Sequence, residues 1–288
     1  MNQTNLPANI LVLGTAQDGG YPHTGCSDAC CRKAWMDESR RLISSLAVCL
    51  DIDYFLIDIT PDFKYQYHMI ENHLNKKPHL SGIFITHAHF GHYMGLLELG
   101  LEVMNTDTVP VYVMPKMKLF LGNNAPFAQL VEMNNINLIE IVENKPIRIN
   151  ENINITPFQV PHRNEFSETV GYSIRSQHKS VIYIPDIDSW EKWEININEM
   201  INEHDIAFLD GTFYDKIELK NRNIEDVPHP SIRESMKKFS SLDSIDRKKV
   251  NFTHLNHTNN ALIRDSVERN EVLKQGFKIA SEGTSISI

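Results

Sequence analysis

The sequence predicts an α/β protein built as a four-layer αββα sandwich, with two stacked mixed sheets and helices outside. Three observations carry this. Short apolar runs recur in two series, turn residues separate them, and helical patterns interrupt and follow each series. No low-complexity stretch, charged block or Pro/Gly linker parts the two series, so residues 1–288 read as a single domain.

The first series is ILVLG at 10–14, SLAVCL at 45–50, YFLIDI at 54–59, GIFIT at 82–86 and VPVYVMP at 109–115. Several of these are apolar at successive positions, as strands buried on both faces are. Only the polar step from Asp51 to Asp53 separates the second run from the third, which predicts a hairpin. The second series is INLIEIV at 136–142, INITPFQV at 153–160, ETVGYSIR at 168–175, KSVIYIPD at 179–186, DIAFLD at 205–210 and KKVNFTH at 248–254. Helical patterns fall near 62–75, 190–202, 231–240 and 259–270, the last opened by Asn259 or Asn260 as cap. The polar stretch 215–230 has no clear period and reads as a loop over a site.

At 288 residues and 41% hydrophobic, the chain can bury a full core. A formal net charge of −9 opposes broad binding to a phosphate backbone, so the expected partner is a small molecule, which can carry phosphate, and no nucleic acid. No window approaches the roughly 20 apolar residues of a membrane span. The start MNQTNLPANILVLG has no basic stretch ahead of a long apolar one. The expectation is a soluble, cytoplasmic protein without membrane partners, and a dimer is an assembly state the sequence allows.

Chemistry concentrates where strands end. THAHFGH at 86–92 follows GIFIT and places His87 and His89 two apart, with His92 three further on. A strand end projects i and i+2 to one side, and the following turn can bring His92 to the same point; neutral imidazoles so placed suit Zn²⁺. Other strands end in His162 (VPH), Asp186 (YIPD), His254 (FTH) and Asp58 (LID). Taken singly, such residues usually cap helices or satisfy a hydrogen bond. Four separate strands ending this way describe a metal site carried on rigid edges. Cys26, Cys30 and Cys31 crowd one loop-like segment, which favours a metal over a disulfide, whereas Cys49 within LAVCL reads as a buried small hydrophobe. Phe90, Tyr93, Trp190, Trp193, Phe213 and Tyr214 lie near these positions and read as core or rim packing.

With Asp58 in LIDIT, HAHFGH, His162 in VPHR, Asp186 in YIPDID and His254 in FTHLNH, the chain resembles the metallo-β-lactamase-fold hydrolase superfamily. LGTAQDGGYPHTGCSDACC and THLNHTN resemble the branch of pyrroloquinoline quinone biosynthesis protein B and the cyclic phosphodiesterase of the carbon–phosphorus lyase pathway. The resemblance implies a first metal held by His87, His89, His162 and a bridging, catalytic Asp186. It implies a second held by His92, Asp186 and His254. Asp58 would orient a ligand histidine and fix its tautomer. His229 in VPHPS matches a histidine that contacts phosphate and acts as general acid, although an ordinary loop histidine reads equally well there. Arg163, next to His162, is the basic residue to watch for substrate binding.

The chain departs from the superfamily's HxHxDH pattern at one position, Gly91. A missing carboxylate removes one oxygen ligand and one negative charge, so a filled first position and a weaker second one are expected. The related phosphodiesterase also holds a structural zinc on three cysteines and a histidine. By that resemblance Cys26, Cys30, Cys31 and His257, within a loop at about 19–34, would hold a separate structural Zn²⁺, with Asp28 where the middle cysteine falls.

The activity implied is hydrolysis of a phosphodiester or related ester by water activated on one or two ions of Zn²⁺, or Mn²⁺ or Fe²⁺. One alternative is an oxidative enzyme of the pyrroloquinoline quinone biosynthesis protein B kind, working with iron. Another is a non-catalytic binding protein whose metal site has decayed at Gly91.

Overall fold

The computed structural model describes residues 8–218 and 227–288, so part of the polar stretch 215–230 and the first residues of the chain lie outside the described residues. The first sheet contains β1 (Asn9–Gly14), β2 (Ser45–Leu50), β3 (Asp53–Ile57), β4 (His79–Phe84), β5 (Val109–Val113) and β6 (Ile136–Glu140). The second contains β7 (Ile147–Arg148), β8 (Asn154–Gln159), β9 (Val170–Arg175), β10 (Ser180–Ile184), β11 (Ile206–Asp210), β12 (Val250–Thr253) and β13 (Lys278–Ile279). The last strand, β14 (Ser285–Ser287), returns to the first sheet. The orders are β14-β1-β2-β3-β4-β5-β6 and β13-β12-β11-β10-β9-β8-β7, a mirrored pair. In each sheet antiparallel strands give way to parallel ones, β3 to β6 in the first and β10 to β13 in the second. All eleven expected strand runs form strands, and Leu46 to Leu50 pair with Ile57 to Asp53 in the expected hairpin.

The two sheets meet through a buried layer that includes Ile10, Val48, Phe55 and Phe84 from the first and Ile155, Tyr172, Val181 and Phe208 from the second. The outer face of the first sheet is covered through Phe63, Ile70, Leu96, Met117 and Leu121. The outer face of the second is covered through Ile197, Ile201, Ile232, Met236 and Phe239. Strands buried on both faces explain the unbroken apolar runs, and the layers stack as the αββα sandwich that the sequence predicts.

The helices follow the sequence less closely. Phe63–Leu74 and Ile232–Lys238 form where the pattern places them, the latter opened by a Ser231/Glu234 capping box. The pattern at 190–202 yields a helix only over Ile197–Asn202, capped by Asn196. Before it, Trp190 and Trp193 turn inward and donate their indole N–H to Ser235 Oγ (2.8 Å) and the Gln159 carbonyl (2.9 Å). The pattern at 259–270 splits into a 3₁₀ turn, Asn260–Leu262, capped by Asn259, and a new helix from Val267 capped by Ser266. Helix Ala29–Met36 escapes pattern reading because it buries only Cys31 and Ala34. Among the described residues no helix is long and apolar enough to cross a membrane.

Candidate metal centre

Each ligand candidate sits just beyond the C-terminal end of a strand. His87 and His89 follow β4, and His92 lies on the single turn Phe90–Tyr93; His162, Asp186 and His254 follow β8, β10 and β12. Asp58, beyond β3, and His254 adopt left-handed backbone, φ +65° and +59°. That conformation is uncommon for residues with a Cβ and is a form of strain found at functional sites.

Three aspartates set the ring orientations. Asp58, fully buried, accepts from Thr86 N–H (2.7 Å), Thr86 Oγ1–H (2.9 Å) and His92 Nδ1–H (2.7 Å). Thr86 Oγ1 in turn accepts from His87 Nδ1 at 2.9 Å. Across the sheet interface Asp210 repeats the device. It accepts from Thr212 N–H (2.9 Å), Thr212 Oγ1–H (2.8 Å) and His229 Nδ1–H (2.7 Å), and Thr212 Oγ1 accepts from His254 Nδ1 (3.0 Å). Asp188 does the same for His162 Nδ1 at 2.9 Å. With Nδ1 engaged as donor, the Nε2 lone pairs of His87, His92, His162 and His254 are directed to the centre.

Two cages result. In the first, His89 Nδ1 lies 2.9 Å from His87 Nε2 and 3.2 Å from His162 Nε2, and Asp186 stands 3.7 Å from His87 and 3.9 Å from His162. In the second, His92 Nε2 and His254 Nε2 lie 3.0 Å and 3.3 Å from Asp186 Oδ2. Ligands about 2.05 Å from a tetrahedral ion stand about 3.3 Å apart, and the observed distances, from 2.9 to 3.9 Å, lie around that value. Asp186 Oδ2, His92 Nε2 and His254 Nε2 are buried and make no hydrogen bond among the described residues, a costly arrangement unless a cation satisfies them.

The electrostatics agree. Burial, reinforced by its imidazole neighbours, holds His87 well below the ordinary histidine range, and burial holds His89 at about 4. Both rings are therefore neutral, as ligation requires. Burial opposes ionisation of Asp186, but His254, His92 and His87 outweigh it and hold the carboxyl well below the usual range. His92 is pushed well above its ordinary value: burial opposes this, but Asp58, Asp18 and Asp186 prevail. Asp18 and Asp186 call for a positive charge at Nε2, which a cation would supply in place of a proton.

Asp18 is a residue that the sequence reading missed. It lies on the turn after β1, and its Oδ1 stands 3.2 Å from His92 Nε2 and 3.6 Å from His254 Nε2. A carboxylate therefore does stand beside the second cage, which corrects the expectation that this position lacks one. Asp18 sits within LGTAQDGG, where the glycines drew the reading. Asp210 and Asp188 were also missed, although Asp210 ends DIAFLD as Asp58 ends its own strand, so the same criterion would have found it.

His229 lies beside the centre, its Nδ1 3.8 Å from Asp186 Oδ1. Burial opposes its protonation, but Asp210 raises it to about 9. An open cleft of about 1390 Å³ leads from here and is lined by His89, His162, Asp186 and His229. Arg163 stands exposed on its wall, with Nη1 3.9 Å from Glu165 Oε1. Phe213 and Tyr214 line the same cleft, whereas Trp190 and Trp193 belong to the outer core.

The cysteine segment forms a second cluster, of which Cys30 and His257 line the same cleft. Cys26 Sγ and Cys31 Sγ each lie 3.9 Å from Cys30 Sγ, and His257 Nδ1 lies 3.7 Å from Cys30 and 3.5 Å from Cys31. Asp28 stands outside this quartet, at the N-terminus of helix Ala29–Met36. Burial, aided by the neighbouring sulfurs, pushes the Cys31 thiol up to about 12, so its thiolate needs a cation to form.

Comparisons with known proteins agree with the fold. The coenzyme PQQ synthesis protein B of Methylorubrum extorquens is 24% identical over 97% of this chain and 100% of its own length. That of Xanthomonas oryzae is 23% identical over 97% and 99%. Among solved structures, zinc-bound PqqB from Methylobacterium extorquens superposes with a TM-score of 0.82 at 22% identity, covering 97% of this chain and 100% of its own. A diphosphatase of the PhnP family gives 0.70 at 24% identity, covering 98% of each chain. Residues 53–255, which span every strand-end histidine and aspartate from Asp58 to His254, match the β-lactamase superfamily domain, and the chain belongs to that family.

Proposed function

We propose that this chain is a metal-dependent hydrolase acting on a phosphodiester or related ester. The observation that carries the reading is the convergence of buried imidazole nitrogens and carboxylate atoms at near-tetrahedral spacing, with the rings of His87, His92, His162 and His254 held from behind by an aspartate or threonine. His87, His89, His162 and Asp186 would hold one divalent cation, and His92, Asp186 and His254 would contribute to a second. When bound, such ions supply Lewis acidity and lower the pKa of a coordinated water toward about 7.

The chain's own residues do the rest. Asp186 lies between the two cages and fixes their separation. Asp58, Asp210 and Asp188 keep the ligand rings in one tautomer. His229, held by Asp210 through Nδ1, offers its other nitrogen to the cleft, where it can protonate a leaving alkoxide. Arg163 on the wall can meet an anionic substrate group. The Cys26, Cys30, Cys31 and His257 quartet would hold a structural Zn²⁺, because its distances match Zn–S and Zn–N bonds of about 2.3 Å and 2.05 Å.

Elemental analysis and hydrolysis of bis(p-nitrophenyl) phosphate test the reading. Zinc or manganese with turnover that disappears in His162→Ala is expected; a folded protein that holds ions only at the cysteines and turns nothing over refutes it. The end-to-end match to the PQQ synthesis proteins favours a second reading, an oxidative enzyme using iron, since His/Asp ligands suit iron as well as zinc. Iron in the purified protein and oxygen consumption without hydrolysis would decide for it.

A further inference from the structure

We propose that Asp18 is the carboxylate ligand of the second metal position, so that this chain has moved the aspartate of HxHxDH from position 91 to a loop at position 18. The inference rests on the metal-centre reading above and deepens it.

The first observation is a set of four atoms. Asp18 Oδ1, His92 Nε2, His254 Nε2 and Asp186 Oδ2 are all buried, and none makes a hydrogen bond among the described residues. The four distances between the imidazole nitrogens and the carboxylate oxygens run from 3.0 to 3.6 Å. They bracket the edge of about 3.3 Å expected around a tetrahedral ion. An aspartate in an ordinary turn bonds nearby backbone N–H groups; Asp18 Oδ1 instead faces two imidazoles. Among the described residues its ion-pair neighbours are His92 and His254.

The second observation concerns Gly91. A Cβ at this position would fall 2.4 Å from Asp18 Oδ1 and 2.8 Å from Asp18 Cα. The second contact is with backbone, and that backbone is pinned. Gln17 N–H donates to the Leu255 carbonyl (2.9 Å), Ala16 N–H to Leu42 (2.9 Å) and Gly20 N–H to Gln17 (2.7 Å). The loop therefore presses on residue 91 closely enough that only glycine fits, and its aspartate takes the place that a side chain at 91 would fill. The glycine and the loop aspartate are two halves of one exchange. The exchange also restores one negative charge beside the second ion, where Asp186 is shared with the first.

The test is metal content and affinity of the folded chain, read by elemental analysis and by competition with a chromophoric chelator. Wild type should hold three divalent ions, two in the centre and one at the cysteines. Asp18→Asn should lose one, or weaken it by more than the roughly 10–100-fold typical of losing an outer partner. In the Mn²⁺-loaded protein the coupled-pair electron paramagnetic resonance signal should become that of an isolated ion. Gly91→Asp alone should lower the melting temperature, and adding Asp18→Gly should not restore it, because the 2.8 Å contact with the backbone of residue 18 remains. If Asp18→Asn keeps the wild-type content, affinity and coupled signal, the assignment of Asp18 is overturned while the hydrolase reading survives. If wild type holds an ion only at its cysteines, both fall.

Discussion

Replacing His257 by alanine tests the cysteine cluster through a residue that is not itself a ligand candidate of the centre. The structure gives sulfur–sulfur distances of 3.9 Å and sulfur–nitrogen distances of 3.5 and 3.7 Å. Ideal tetrahedral edges from zinc bond lengths are about 3.8 and 3.5 Å. The quartet is therefore set for one ion, and His257→Ala removes one ligand of four. An ion that binds only the folded chain stabilises it by about 2.7 kcal/mol at 100 times its dissociation constant and about 4.1 kcal/mol at 1,000 times. At about 2–4 °C per kcal/mol for a large domain, the variant should melt roughly 5–16 °C below wild type. Scanning calorimetry at fixed free zinc, with elemental analysis of the same samples, reads both quantities. His257→Cys keeps a fourth ligand and should recover most of the loss. A His257→Ala protein with wild-type melting and wild-type zinc content would refute the reasoning. The segment that carries the cysteines also carries Asp18, and His257 follows His254 by three residues. Loss of this ion should therefore also loosen the second position of the centre.

Other perturbations test other links. Burial raises Glu282 to about 7 from 4.5, against the bond it accepts from Leu42 N–H at 2.7 Å. A carboxyl whose folded pKa is raised stabilises the fold below the unfolded value and loses that stability as pH climbs to the folded one. Wild type should thus lose up to about 3 kcal/mol between pH 4.5 and 7. Urea titrations of Glu282→Gln should show that this part of the slope has gone; an unchanged slope would count against the buried carboxyl. Asp188→Asn removes the acceptor of His162 Nδ1, so affinity at the first position should fall about 10–100-fold in a chelator competition; undiminished affinity would deny Asp188 a positioning role. Asp58→Ala orphans three buried donors at about 1–3 kcal/mol each. It should unfold several kcal/mol earlier in denaturant, and a loss under about 1 kcal/mol would show that the Thr86 and His92 donors find other partners.

Much of this architecture was legible in the sequence because its signals are local. A strand buried on both faces must be apolar at successive positions, so the runs from Ile10 to His254 announced both sheets. His87, His89 and His92 are close in sequence, and the strand-end rule collected His162, Asp186, His254 and Asp58 without knowledge of their contacts. The helices were less legible where tertiary packing overrode periodicity. Trp190 and Trp193 gain more by burying their rings than by continuing a helix, and the helix bearing Cys30 and Cys31 shows too little apolar face to be seen.

What only the tertiary structure decided is which distant groups share a point. Spacing could show that a carboxylate is absent at position 91, but not that Asp18, on another loop, stands against that glycine. Nor could it show that Asp58 and Asp210 brace the two halves of the centre alike through Thr86 and Thr212. Chain order carries no information about the meeting of two sheet edges, and a ligand cage closes only when those edges are packed. The sequence by itself determined the strands and the ligand types; the packing of one sheet on the other determined how a glycine at 91 and an aspartate at 18 complete one site.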